Sequence, residues 1–199
     1  SAAVKQLRLS NLTSNHDPKS DQKLVEKMLE LYNAKKFNEV ILVKESSKQI
    51  LPNVPIIYNI LGGAYKEIGN LTEAKKNFKA AINITPECFN SNYNLAYTLE
   101  AEGNYSAALE IYQRLRKISP KDAELHNSIG SLYRKTGKYE DALAAINQAL
   151  EINSNLSSAY FNLALLYQEN KNLEQASKNY KKALQIKPDY AEAYNNLGL

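Results

Sequence analysis

The 199-residue chain is poor in the residues that build disulfides and metal centres, with one cysteine and two histidines. A single cysteine, Cys88, cannot form an internal disulfide, and this fits a reducing cytoplasm. The chain has no CxxC or HExxH motif, and His16 lies far from His126, so we expect no metal site and no cofactor. No apolar run approaches the roughly eighteen residues of a membrane-spanning helix, so we expect no membrane partner.

The chain also has little excess of either charge, because 25 basic and 21 acidic residues leave a net charge of +4. The lysines are scattered along the chain and form no basic block. A nucleic-acid-binding surface normally clusters its basic residues and is richer in arginine, so we expect no nucleic-acid partner. The abundance of lysine, asparagine and isoleucine is typical of a gene of low GC content, which indicates a bacterial source.

What the chain does contain is a unit of 34 residues that recurs without insertion or deletion. Residues 159–188 align with 125–154, 91–120 and 57–86. Bulky and small apolar residues recur at fixed positions, namely Tyr65, Leu99, Tyr133 and Tyr167; Ala74, Ala108, Ala142 and Ala176; and Phe78, Tyr112, Ile146 and Tyr180. Apolar residues three and four apart indicate amphipathic helices, so each unit is predicted to be a pair of packed helices.

The period and the residue types resemble the tetratricopeptide repeat family, whose unit is a helix–turn–helix of this length. The resemblance implies an all-α fold, an α–α superhelix of antiparallel helix pairs. Its frame gives a leader, loose or a short helix, over 1–20; a degenerate first repeat over 21–54, or else a non-repeat helical hairpin; full repeats over 55–88, 89–122, 123–156 and 157–190; and the start of a further helix over 191–199. Because that last helix lacks its partner, we expect a fragment of a longer repeat protein that can associate end to end.

Glycines between the paired helices predict left-handed helix ends at Gly69, Gly103 and Gly137. Lys171 interrupts this column, and we expect the neighbouring Asn170 to adopt the left-handed conformation instead. Asp189 and Glu192 are spaced as a capping box that would open the last helix.

No set of residues indicates an active site, so the chain is predicted not to be an enzyme. His126 occupies a column of helix-packing residues, which favours a structural role. The Gly62–Gly63 pair lies inside a predicted helix and not between a strand and a helix, so it is not a phosphate-binding loop.

The family resemblance implies a concave groove, lined by the first helix of each repeat, that holds an extended peptide or a partner's helix. Asparagine suits such a surface because its amide both donates and accepts hydrogen bonds and can bracket a peptide bond. The alternative is that these asparagines are solvated or join neighbouring helices. The predicted ligand contacts are Asn59, Asn90, Tyr93, Asn94, Tyr97, Asn127, Arg134, Phe161, Asn162, Leu165, Gln168 and Asn195.

Family members that bind acidic C-termini use a clamp of basic residues. This chain has Asn59, Glu124 and Ser128 at the positions that should be basic, so binding of an acidic C-terminus is disfavoured. Asn94, Asn162 and the YNNLG segment at 194–198 are similar to the arrays that precede the catalytic domain in protein O-linked N-acetylglucosamine transferases and related bacterial proteins. We therefore expect a protein-interaction scaffold, or alternatively the substrate-recruiting arm of a larger enzyme such as a glycosyltransferase. Helical-repeat RNA binding is disfavoured because glutamates in the same columns would repel phosphates.

Overall fold

The computed structural model describes residues 18–46 and 53–198. Most of the predicted leader, including its possible short helix over 2–9, lies outside the described residues. The first helix begins at Pro18, within the last three residues assigned to that leader.

The described residues form eleven α-helices and no strand, which confirms the all-α fold class. Odd-numbered helices are the first helix of each repeat, and even-numbered helices are the second. They are α1 (Pro18–Asn33), α2 (Phe37–Ser46), α3 (Pro55–Glu67), α4 (Leu71–Ile84), α5 (Phe89–Ala101), α6 (Tyr105–Ile118), α7 (Ala123–Lys135), α8 (Tyr139–Ile152), α9 (Ser157–Glu169), α10 (Leu173–Ile186) and α11 (Ala191–Leu197).

A three-residue turn that satisfies its own backbone groups joins the two helices of a repeat. Between α3 and α4, Gly69 has a φ of 81° and its N–H donates to the Lys66 carbonyl at 3.0 Å. The Asn70 N–H donates to the Tyr65 carbonyl at 2.8 Å, and the Asn70 side chain caps α4 by accepting from the Glu73 N–H. Gly103 and Gly137 also have positive φ, so the three predicted left-handed glycines are confirmed.

The prediction that Asn170 replaces the missing turn glycine is wrong. Lys171 itself adopts the left-handed conformation, with a φ of 60°, whereas Asn170 has a φ of −89°. The Lys171 N–H donates to the Gln168 carbonyl and the Asn172 N–H to the Tyr167 carbonyl, as in the glycine turns. This hydrogen-bond pattern fixes which residue is left-handed, and the lysine bears the steric cost. Lys35, in the α1–α2 turn, does the same with a φ of 58°.

The predicted capping box at Asp189 is also wrong, by one residue. Tyr190 is the N-cap of α11 and makes no side-chain capping bond. Its carbonyl accepts from the N–H groups of Ala193 and Tyr194, so the helix begins after Tyr190 and not after Asp189.

Glycine within the first helices allows the two helices of a repeat to approach closely. A Cβ added to Gly62 would lie 2.5 Å from Phe78, and one added to Gly130 would lie 2.5 Å from Ile146. The Phe78 and Ile146 side chains are fully buried in the second helices. The larger side chain of one helix therefore occupies the space that the other helix leaves empty.

The chain forms two compact units that divide between Glu102 and Gly103. The first unit has a core beneath α1, α2 and α3 that includes Met28, Val40 and Ile57. In the second unit one cluster lies between α8 and α9, and another joins α9, α10 and α11. Each unit carries part of the predicted ligand-contact set on its odd-numbered helices.

Candidate functional site

The predicted contacts fall into two sets, one in each unit. The first-unit face is a stripe of half-buried and exposed residues on α3 and α5, and carries Asn59, Asn90, Tyr93, Asn94 and Tyr97. The second-unit face is the corresponding stripe of α7, α9 and α11, and carries Asn127, Arg134, Phe161, Asn162, Leu165, Gln168 and Asn195.

On the first-unit face, two asparagines from neighbouring repeats bind each other. The Asn94 amide nitrogen donates to the Asn59 carboxamide oxygen at 3.2 Å, and both side chains are half-buried. This bond joins α3 to α5 and uses one of the hydrogen-bonding groups of Asn94. Among the described residues, its carboxamide oxygen has no hydrogen-bond partner.

Aromatic residues flank Asn94 on α5, with Tyr93 directly before it and Tyr97 about one turn after it. Tyr93 stacks on Phe89, with ring centroids 6.0 Å apart and an interplanar angle of 16°. Tyr97 is 48% exposed, and the Lys66 ammonium lies 5.0 Å from its ring centroid. Lys66 also pairs with Glu67 at 3.3 Å, so its charge is compensated within α3.

On the second-unit face the same asparagine pair is part of a longer hydrogen-bonded chain. The Asn162 amide donates to the Asn127 carboxamide oxygen at 2.9 Å, and the Asn127 amide donates to the Ser158 hydroxyl at 3.1 Å. The Ser158 hydroxyl in turn donates to Glu124 at 3.3 Å. Asn127 is only 4% exposed, so it orients its neighbours, whereas Asn162 is half-buried and presents its carboxamide oxygen.

Phe161 is half-buried and packs against two tyrosine rings. Tyr190 stacks on it with centroids 4.8 Å apart, and the Tyr180 ring lies 5.7 Å away at a tilt of 58°. Leu165 packs against the cluster of α9, α10 and α11 and is half-buried. Phe161 therefore packs mainly against Tyr180 and Tyr190, while Leu165 offers apolar surface to a ligand.

Polar side chains at the far end of the second-unit face have partners of their own. Arg134, whose side chain is 12% exposed, forms an ion pair with Glu169. Gln168 accepts a 2.7 Å hydrogen bond from the Tyr180 hydroxyl. Arg134 thus joins its repeat to the next one, Gln168 joins the two helices of its own repeat, and their contact with a ligand stays a prediction.

Burial raises the pKa of Tyr180 above the ordinary value of 10.0, while a hydrogen bond from Asn196 and the charge of Arg134 act in the opposite direction. Burial also raises the pKa of Tyr190, and the carboxylates of Glu192 and Glu124 add to the effect. The two phenols therefore stay protonated and serve as packing and hydrogen-bonding groups at neutral pH.

Asn90 and Asn195 are exposed and are not brought together with the asparagine pairs. The residues that sequence reasoning missed are Tyr190, which covers Phe161, and Glu169, which binds Arg134. The spacing of contacts offers a signal for Glu169. The two Asn–Asn pairs and the Arg134–Glu169 pair all join residues 35 positions apart.

The chemistry of both faces suits binding, because the groups they present are amides, hydroxyls and aromatic rings. In the part of the chain that the structure describes, no group of three or more His, Cys, Asp or Glu side chains could hold a metal ion. None of the described helices combines the length and apolar character that crossing a membrane requires. His126 is 8% exposed, and its Nε2 lies 2.9 Å from the Pro120 carbonyl oxygen, which agrees with a structural role.

Comparison with known families gives consistent matches. A model described as tetratricopeptide repeat matches residues 87–155 and again 121–189, and a second model of the same description matches residues 56–88. These matches cover more than half of the chain. No curated protein matches the chain significantly.

Several solved structures are similar in fold. YrrB, described as a TPR protein with an unusual peptide-binding site, is 21% identical with a TM-score of 0.61, over 88% of this chain and 91% of that one. TTC0263, a thermophilic TPR protein of Thermus thermophilus, is 20% identical with a TM-score of 0.72, over 89% and 97%. MamA is 20% identical with a TM-score of 0.68, over 88% and 96%.

Proposed function

Because this chain belongs to the tetratricopeptide repeat family, we propose that it is a protein-interaction scaffold that binds an extended peptide segment of a partner along its odd-numbered helices. The observation that supports this most directly is the geometry of Asn94 and Asn162. Each is oriented by a bond to an asparagine of the preceding repeat, and each leaves a carboxamide oxygen for a ligand. The peptide-binding site in the description of YrrB agrees with this assignment.

An oriented carboxamide is suited to a peptide main chain. Its oxygen accepts from a backbone N–H, and its remaining N–H donates to a backbone carbonyl, whatever side chains the peptide carries. Because the Asn–Asn bond already fixes the rotamer, little side-chain entropy is lost on binding. The nearby Tyr97 and Leu165 supply apolar surface for a ligand side chain.

The test begins with a random dodecapeptide library displayed on phage, selected against the immobilised full chain. The affinity of a selected synthetic peptide is then measured for the wild type and for the Asn94→Ala/Asn162→Ala double variant. We expect each substitution to remove about 1 kcal/mol of hydrogen bonding, so the affinity falls at least about fivefold.

The matched control is Asn83→Ala/Asn147→Ala, which removes the same groups from exposed positions on α4 and α8. This variant should bind like the wild type. If both double variants bind equally, or if no peptide is selected, the proposed binding face is wrong.

Asn94 and Asn162 also support the second candidate. In it, the chain is the substrate-recruiting arm of a larger enzyme such as an O-linked N-acetylglucosamine transferase. In either case the repeats themselves bind and do not catalyse. Sequencing the gene on both sides of this segment tests the candidate, because a catalytic domain in the same reading frame would support it and a stop codon would contradict it.

We propose further that the protein is cytoplasmic, of bacterial origin, and able to associate end to end. Leu173 is 67% exposed and lines a cleft of about 220 Å³ between α9, α10 and α11, while Tyr194 on α11 is 38% exposed. A second copy could bury this apolar surface. Sedimentation velocity over a range of concentrations tests the association, and a Leu173→Glu variant should weaken it.

A further inference from the structure

The two asparagine pairs are the same feature repeated after two repeats. Asn59 and Asn94 become Asn127 and Asn162 when each number is increased by 68, which is twice the repeat length. Both pairs have the same donor and acceptor, and each lies within one compact unit. The asparagine pairs on the first-unit and second-unit faces therefore recur with a period of two repeats, although the helices recur with a period of one.

The surrounding positions alternate in the same way. The repeats that begin at 55 and 123 carry a small residue and a basic residue on the face, whereas those that begin at 89 and 157 carry an aromatic residue, a bulky apolar residue and a hydrogen-bond acceptor. The alternating columns are Asn59, Tyr93, Asn127 and Phe161; Gly63, Tyr97, Ser131 and Leu165; and Lys66, Glu100, Arg134 and Gln168.

The core gives a physical reason for part of this alternation. The repeats that begin at 89 and 157 have Tyr112 and Tyr180 in the second helix, where the others have Phe78 and Ile146. The buried Tyr180 hydroxyl needs an acceptor, and Gln168 supplies it. Without a hydroxyl to satisfy, Lys66 and Arg134 instead reach the following repeat, where they meet Tyr97 and Glu169.

Core packing does not explain why the asparagine pairs recur only every second repeat, because Asn94 and Asn162 are half-buried and lie outside the core. We propose that the unit of recognition is a pair of repeats, and that one chain binds two copies of the same short peptide segment, one at Asn59–Asn94 and one at Asn127–Asn162. This proposal rests on the proposed function, since it assumes that the asparagines hold a peptide.

The lining of the two sites indicates the kind of segment. Each combines an Asn–Asn pair that can hold an extended main chain with one apolar side chain, Tyr97 in the first and Leu165 in the second. The basic residue of each site already has an acidic partner, Glu67 for Lys66 and Glu169 for Arg134. The segment that fits best is therefore short, extended and uncharged, with an apolar side chain at its centre.

The test uses the full chain and the synthetic peptide selected from the dodecapeptide library, with isothermal titration calorimetry as the measurement. We expect the wild type to bind two peptides per chain with similar affinity. In Asn94→Ala one of the two sites should weaken about fivefold while the other is unchanged, and Asn162→Ala should give the converse.

The second pair of variants, Tyr97→Ala and Leu165→Ala, should give the same pattern through loss of apolar contact, and circular dichroism checks that each variant is folded. One peptide per wild-type chain, weakened by both asparagine variants, would overturn the two-site proposal while leaving the peptide-binding function in place. Affinity that is indifferent to every one of these substitutions would overturn both.

Discussion

The Tyr180 hydroxyl donates a 2.7 Å hydrogen bond to the Gln168 carboxamide oxygen, and this bond links a buried ring of α10 to the exposed face of α9. Tyr180 is 2% exposed, so its hydroxyl depends on protein partners. Gln168 is thus both a surface residue and the acceptor for a core group, and its substitutions should affect stability.

We expect Gln168→Ala to destabilise the protein by about 1–2 kcal/mol, because it leaves the buried hydroxyl without this acceptor. Gln168→Glu should be close to wild type, since it keeps an acceptor, and Glu100 stands at the equivalent position two repeats earlier. Urea unfolding measures both. In a Tyr180→Phe background the alanine substitution should have little effect, and an equal loss in both backgrounds would contradict the assigned role.

The raised pKa of Tyr180 predicts a weakening of the fold at alkaline pH. The folded state holds the phenol proton more tightly than the unfolded state, so this contribution is complete below a pH of about 10 and is lost as the pH rises further. The free energy of unfolding of the wild type should therefore fall more steeply above a pH of about 10 than that of Tyr180→Phe. Parallel pH profiles for the two proteins would show that Tyr180 is not the titrating group.

Lys171→Gly should stabilise the protein by about 0.5–1 kcal/mol. The left-handed conformation costs a lysine about 1–2 kcal/mol, and the greater flexibility of glycine in the unfolded state offsets part of the gain. Thermal unfolding is the measurement, and Lys178→Gly, an exposed position inside α10, is the control, which should destabilise by about 1 kcal/mol. A lower melting temperature for Lys171→Gly would mean that the lysine side chain makes compensating contacts.

Gly130→Ala should destabilise the protein by about 1–3 kcal/mol, despite the better helix propensity of alanine. The new Cβ would lie 2.5 Å from the Ile146 side chain and 3.2 Å from the Ala142 carbonyl oxygen. The adjacent Ser131→Ala change adds no atom at the helix contact and should alter stability by less than about 0.5 kcal/mol. In an Ile146→Ala background, which lacks the Cγ1 atom in question, the Gly130→Ala change should cost less, and an equal loss in both backgrounds would contradict the clash.

The repeat period was sufficient to predict the helix pairs and the glycine turns, because both depend on local patterns that recur every 34 residues. The conformation of Lys171 could not be read from its own preference, since the hydrogen bonds of the turn override it. Asn94 and Asn162 were recognised as equivalent positions, but their partners lie one repeat plus one residue away. The stacking of Tyr190 on Phe161 depends on the path of an inter-repeat loop, which no periodicity encodes.

The two-repeat alternation also restricts how such a gene can change its length by recombination. Loss of the single repeat 89–122 would put Ser128 in the place of Asn94, the partner of Asn59. It would also put Ser131 in the place of Tyr97, the partner of Lys66. Loss of residues 89–156 would instead bring Asn162 and Leu165 to those two positions, so the asparagine pair would be rebuilt at the junction. Unequal crossover in steps of one repeat conserves the helices and scrambles the binding face, whereas steps of two conserve both.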